Sequence, residues 1–193
     1  AELDRFTPKW GNPGSLSVVD DNGTPAFLWI SPGFDVAYTF EEAGQFADGE
    51  CLILSRSAGT ANNRKSSAAL RISDTQHNYY AAGGVSNDLG LLEVILSGSA
   101  TRVVVVRGAP TTDNTAYNYT RFKITGDQLK VRRWPVGTTE PTVWHEESTD
   151  TQIAVSGFAG IDAGTSEDQW IAAWSLGTNG DPAPTGPVST GIT

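Results

Sequence analysis

Tyr119-Thr120-Arg121-Phe122-Lys123-Ile124-Thr125-Gly126-Asp127-Gln128-Leu129-Lys130-Val131-Arg132-Arg133-Trp134 reads as two strands joined by a two-residue turn. With Gly126-Asp127 at the turn, Thr125 faces Gln128, Ile124 faces Leu129, Phe122 faces Val131 and Tyr119 faces Trp134, as in a tight hairpin. Side chains alternate along a strand. One face therefore collects Phe122, Ile124, Leu129 and Val131, and the other collects Tyr119, Arg121, Lys123, Lys130, Arg132 and Trp134. A one-residue slip would mix the two sets, so the register is well specified.

Outward from this hairpin the same rhythm continues. Short strand-like runs recur about every dozen residues, the spacing of an all-β sandwich or barrel. Among them are Ala26–Ile30, Phe34–Phe40, Cys51–Arg56, Ala68–Ser73, Asn78–Ala82, Leu89–Leu96, Arg102–Arg107, Thr142–His145, Gln152–Ile161 and Gln169–Leu176. The apolar stretch Val103–Val106 reads as a central strand. In Trp170–Leu176, alternation assigns Trp170, Ala172, Trp174 and Leu176 to the core face. The first two dozen residues read as loop, with Gly11-Asn12-Pro13-Gly14 and Asp21-Asn22-Gly23 as turn signals. Residues 1–178 are expected to form one sandwich. Residues 179–193, rich in Gly, Pro and Thr, are expected to form a tail or a strap packed on a partner.

Composition agrees with this class. The chain has 193 residues, enough for a sizeable core, with 21 Gly, 10 Pro, no Met and 18% charged residues. Its net charge is −9, which disfavours nucleic acid and anionic membrane as partners. No apolar run approaches the ~18–20 residues of a membrane-spanning helix. The single cysteine, Cys51, excludes an intrachain disulfide and reads as a small buried hydrophobe.

The polar face of the hairpin needs an anionic counterpart. Arg121 opposite Arg132 and Lys123 opposite Lys130 repel unless carboxylates intervene. Glu140, Glu146 and Glu147, close in sequence, are the nearest source. The alternatives are an acidic region of a neighbouring subunit, or an acidic glycan stacked on Tyr119 or Trp134. Tyr119, Arg121, Lys123, Lys130, Arg132 and Trp134 are thus the candidate glycan- or partner-binding residues.

The hairpin and the following Pro135-Val136-Gly137-Thr138-Thr139-Glu140-Pro141-Thr142-Val143-Trp144 resemble a pattern in concanavalin A-like, laminin-G-like domains of bacteriophage virion proteins. There an aromatic–Arg–Phe–Arg strand, a Gly turn and a Leu-Lys-x-Arg-x-Trp strand lead to a Gly…Glu-Pro…Trp corner. Asp4-Arg5-Phe6 with Trp10-Gly11, Ser156–Ile161 and Leu176–Gly180 fit the same layout, while residues 50–115 match only in strand rhythm. The resemblance implies a two-sheet antiparallel jelly roll, a location on the virion surface, homo-oligomers that are often trimers, and contacts with other virion proteins or host-surface polysaccharide. Glu140 and Trp144 map onto that corner, where Glu140 reads first as the structural partner of Arg121 or Arg132 and Trp144 as core, ahead of a ligand role for either.

Signatures of catalysis are thin. The Glu-x-Asp-x-x-Glu strand of laminarinase-type hydrolases is absent, although retaining chemistry needs two carboxyls about 5–5.5 Å apart. Gln76-His77-Asn78-Tyr79-Tyr80 only faintly resembles the Gln-x-His strand of alginate-lyase-type jelly rolls, and reads as an exposed strand entry with one Tyr packed inward. No catalytic residue, zinc site or cofactor is expected. Structural calcium enters only through Asp20-Asp21-Asn22-Gly23, better read as a hairpin turn, and through the acidic loop of Asp162, Glu167 and Asp168. The expectation is a non-enzymatic virion structural protein, either decorating the capsid or associated with the tail or fibre, that serves assembly, adhesion to host-surface glycans, or both. A free carbohydrate-binding module or lectin is the alternative. A polysaccharide hydrolase or lyase acting through His77 or His145 comes third.

Overall fold

The computed structural model describes residues 5–11, 15–30, 36–58, 64–85, 88–105, 113, 115–164 and 167–185. Within them run β1 (Phe6–Trp10), β2 (Ser15–Asp21), β3 (Thr24–Ile30), β4 (Val36–Phe40), β5 (Gly49–Ser57), β6 (Arg64–Ile72) and β7 (Tyr79–Val85). They are followed by β8 (Asp88–Leu96), β9 (Ser99–Val105), β10 (Asn118–Thr125), β11 (Gln128–Pro135), β12 (Glu146–Thr149), β13 (Phe158–Gly164) and β14 (Gln169–Thr178). A 3-10 turn, Glu41–Ala43, follows β4.

The strands form two antiparallel sheets of seven, ordered β1-β4-β13-β6-β7-β8-β9 and β12-β11-β10-β5-β14-β3-β2. They pack face to face as a jelly-roll sandwich. Between them lie Trp29, Tyr38, Ile53, Leu70, Tyr80, Leu92, Phe122, Ile124, Leu129, Val131 and Ile161. Cys51 is wholly buried in this layer, and burial pushes its thiol pKa up. A second apolar cluster, including Tyr79, Ala69, Ala81 and Ile95, occupies the opposite face of the first sheet.

The β10–β11 hairpin has the register read from sequence at every pair, from Tyr119 opposite Trp134 to Thr125 opposite Gln128. Gly126 takes φ 58° at the first turn position, the conformation a glycine there allows. Asn22 and Gly23, at φ 54° and 86°, likewise close a β2–β3 hairpin. Past Val131 the inner face ends in Arg133, which is buried. Burial lowers its pKa to about 10.

Several expectations are corrected. The first two dozen residues contain β1 and β2, which lie at sheet edges. An edge strand tolerates Pro8 and a largely polar composition, both of which weaken its sequence signal. β9 is also an edge strand in the described sheet, so Val103–Val105 are not central, and Val106 lies outside the described residues. Thr142–His145 is a loop, and the strand starts at Glu146. Only the end of Gln152–Ile161 is strand, beginning at Phe158. The preceding segment crosses the end of the sandwich, where the Ile153 N–H donates to the Tyr80 hydroxyl at 3.0 Å.

In β14 the pairing with β5 slips between Ile171 and Ala173. This bulge at Ala172 breaks the alternation. Ile171, Trp174 and Leu176 face the core, while Trp170 lies on the outer face beneath Arg56. Asp162 is not in a loop: it is buried on β13 and accepts from the Tyr79 hydroxyl at 2.7 Å. Both Tyr79 and Tyr80 are buried, not one, because both faces of the first sheet are covered.

Arg71 locks one end of the sandwich. It is buried with φ 54°, a strained backbone for a side chain of its size. Its guanidinium donates to the Ala47 carbonyl at 2.8 Å, the Ile153 carbonyl at 2.7 Å and the Gly126 carbonyl. Three chain crossings are thereby tied to one side chain.

Candidate functional site

The outer face of the second sheet brings the hairpin's polar residues together with carboxylates from two directions. β5 pairs with β10 and places Glu50 opposite Lys123. The corner after β11 returns Glu140 over Arg121 and Arg132. Arg121 ion-pairs with Glu50 and with Glu140, the latter at 2.7 Å. Glu140 also takes Arg132 at 2.5 Å, and Lys123 lies 3.4 Å from Glu50. Lys130 pairs with Glu147 at 2.7 Å. The cross-strand repulsion of like charges is thus met by alternating signs within the chain.

Burial divides the six candidates. The side chain of Arg121 is 2% exposed and that of Glu50 5%, so this pair is closed to any ligand. Trp134 is buried against Leu52 and Ala183, with Tyr119 stacked on it at 5.3 Å. Lys123, Lys130, Arg132 and Tyr119 remain partly open. Trp144 is not in the core. It lies on the outer side, with the Arg132 guanidinium 4.4 Å from its ring centre. Arg132 also donates to the Pro141 carbonyl at 2.9 Å, which fixes the corner.

The start of the expected tail forms the lid over this network. The Ala183 N–H donates to Glu50 at 3.1 Å, and the Ala183 carbonyl accepts from Arg121 at 2.9 Å. Ser175 on β14 donates to the Pro184 carbonyl at 3.0 Å. Asp181–Thr185 is therefore a strap on the chain's own sheet, and residues 186–193 lie outside the described residues.

Sequence reasoning missed a second cluster at the far end of this face. Asp21, at the end of β2, accepts from Arg56 Nε at 2.6 Å and Nη2 at 2.5 Å. The Tyr117 hydroxyl donates to the same carboxylate at 2.8 Å. Arg56 lies over the Trp170 ring at 3.7 Å and near the Tyr117 ring at 5.6 Å. The Arg56 hydrogen bond holds Asp21 below its ordinary pKa despite partial burial. Burial and then the Asp21 carboxylate push the Tyr117 phenol up, so it stays a donor. A depression of about 410 Å³ opens beside these groups. The only sequence cue was the Asp21-Asn22-Gly23 turn, which says nothing of Arg56 or Tyr117.

The two histidines are structural in their contacts. His77 stacks between Trp10 at 5.4 Å and Tyr79 at 5.9 Å. His145 Nδ1 accepts the Arg133 N–H at 3.1 Å, and burial together with Arg132 lowers its pKa. Asp20 accepts the Gly23 N–H at 2.6 Å, as a turn residue does. Among the described residues, no three His, Cys, Asp or Glu side chains converge as metal ligands.

No protein-family profile and no curated protein matches the sequence. Solved structures do match in fold. The carbohydrate binding module CBM66 from Bacillus subtilis superposes with TM-score 0.66 at 12% identity, over 90% of this chain and 96% of that one. A glycoside hydrolase family 16 endo-glucanase from Bacteroides ovatus gives TM-score 0.60 at 9% identity, over 91% and 94%. A functionally unknown protein from Saccharomyces cerevisiae gives 0.56 at 17%, over 96% and 100%. These likenesses define the class: the chain is an all-β, concanavalin A-like jelly-roll sandwich. The fold alone carries no activity, since such sandwiches host unrelated functions.

Proposed function

We propose that the chain is a non-catalytic glycan-binding jelly roll that serves adhesion and assembly on a phage virion surface as a homo-oligomer. The observation that carries the glycan reading is the outer face of the second sheet. Half-buried Tyr117, Tyr119, Trp144 and Trp170 share it with Arg56 and Arg132, each fixed against a ring and a carboxylate. Aromatic faces beside immobilised hydrogen-bonding groups suit sugar rings, and fixing them beforehand reduces the ordering cost of binding. The structural neighbours named as a carbohydrate binding module and an endo-glucanase lend support at the level of fold. Among the described acidic groups, Glu50 and Glu140 are committed to Arg121, which favours binding over acid–base chemistry.

The virion reading rests on the corner resemblance, whose Arg121, Arg132, Glu140 and Trp144 form one connected unit. Two measurements test the proposal together. Purified protein is offered to phage host cells and to neutral and acidic polysaccharides at low and high salt, and its mass in solution is measured by light scattering. Saturable binding by an oligomer is expected. Oligomers without glycan binding would reduce the role to particle assembly. A monomer without binding would overturn it.

A further inference from the structure

The Asp21–Arg56–Tyr117 cluster has more built into it than an ion pair needs. Asp21 accepts from Arg56 twice, from Tyr117 and, at 3.4 Å, from Asn22. That fills the carboxylate's acceptor capacity, so Asp21 itself has nothing left to offer a ligand. What it does is hold two other side chains still. Arg56 is clamped at Nε and Nη2 and stacked on Trp170, which leaves Nη1 without a protein hydrogen bond among the described residues. Tyr117, having given its proton to Asp21 and lying within reach of the Arg56 guanidinium, keeps one oxygen lone pair for a ligand. A fixed donor and a fixed acceptor thus stand together at the wall of the depression of about 410 Å³. Asn22, Thr24 and Thr115 add an amide and two hydroxyls around the rim. The volume lies within the ~300–1,000 Å³ typical of small-molecule seats.

The charge balance selects the ligand. Arg56 is neutralised by Asp21, while Asp20 and Asp113 stand beside the rim through their contacts with Gly23 and Thr115. A carboxylate or sulfate would meet net negative charge there. Hydroxyl groups, which both donate and accept, match the paired Arg56 donor and Tyr117 acceptor. We propose that this depression seats an uncharged sugar ring, with Arg56 and Tyr117 contacting its hydroxyls and Asp21 acting as their positioning residue. The inference rests on the glycan-binding reading above and gives it a site distinct from the β10–β11 hairpin face.

The test is titration of the full chain with neutral methyl hexopyranosides and disaccharides, followed by ligand-observed NMR and calorimetry, beside an acidic polysaccharide. Two variants probe the seat. Asn22→Gly with Thr115→Val removes rim groups and keeps the turn, because glycine accepts the φ of 54°. Arg56→Lys keeps a cation for Asp21 but loses Nη1 and the planar stack. Melting curves establish that each variant is folded. Neutral-sugar affinity falling tenfold or more in both variants is expected. Undiminished neutral-sugar binding in both, with loss instead in Trp144→Ala, would overturn this inference and leave the glycan-binding reading standing. Binding of the acidic polysaccharide alone would do the same. No glycan binding of any kind would overturn both.

Discussion

Arg121→Met should be among the most damaging single substitutions on the surface sheet, although the residue belongs to a face that sequence marks as polar. Its guanidinium serves Glu50, Glu140 and the Ala183 carbonyl, and its side chain is 2% exposed. Methionine fills much of the volume but leaves Glu50, itself 5% exposed, with Lys123 at 3.4 Å as its remaining cation and the Ala183 N–H at 3.1 Å as its remaining buried donor. Removing one member of a buried pair costs about 3–5 kcal/mol. At roughly 2–4 °C per kcal/mol for a domain of this size, the melting temperature should drop by about 6–20 °C. Adding Glu50→Gln removes the stranded charge and should restore a substantial part of the loss, since replacing both partners is far cheaper than replacing one. Denaturant titrations of the wild type, both single variants and the double variant form a closed cycle that gives the coupling directly. A single-variant loss below about 1 kcal/mol, or a double variant no more stable than Arg121→Met, would refute the argument that this buried network organises the face.

Three further outcomes follow from the packing. Lowering the pH through about 6.5 should reduce stability through His145, because the unfolded imidazole takes up a proton while the folded one, held below its ordinary value, resists it. Urea midpoints between pH 7.5 and 5 should show this slope in the wild type and a shallower one in His145→Gln. Gly160→Ala drives a methyl into the Tyr38 carbonyl on the neighbouring strand and should cost about 3 kcal/mol or more, read as loss of soluble protein or a sharply lower melting temperature. Cys51 should react with a thiol reagent only as fast as the chain opens, since it is buried and its thiolate is disfavoured. Rapid labelling under native conditions would contradict that placement.

Local pattern made some of this legible. The β10–β11 register follows from the apolar Phe122, Ile124, Leu129 and Val131 alone, because a period of two admits one pairing. The Asn22-Gly23 turn and the burial of Cys51 are equally local properties. What stayed hidden depends on pairing between distant segments. Glu50 neutralises Arg121 across 71 positions of sequence, and Asp21 holds Arg56 across 35. Nothing near Glu50 or Arg56 marks those choices. The bulge at Ala172 puts Trp170 and Trp174 on opposite faces by one extra residue, which simple alternation cannot register. β1 and β2 escaped notice because edge strands are free to carry proline and polar residues.

The strap over Arg121 also sets how the sandwich would carry load. Among the described residues, tension arriving at Thr185 passes to the sheet through Pro184 and Ala183. There it is resisted by the Ser175, Arg121 and Glu50 contacts before any strand is stressed. Those bonds lie over β5, β10 and β14 in the interior of the second sheet, not at its edge. A pull would therefore be distributed across three neighbouring strands instead of peeling one away. The same ion network that balances charge on the hairpin face would then share such a load.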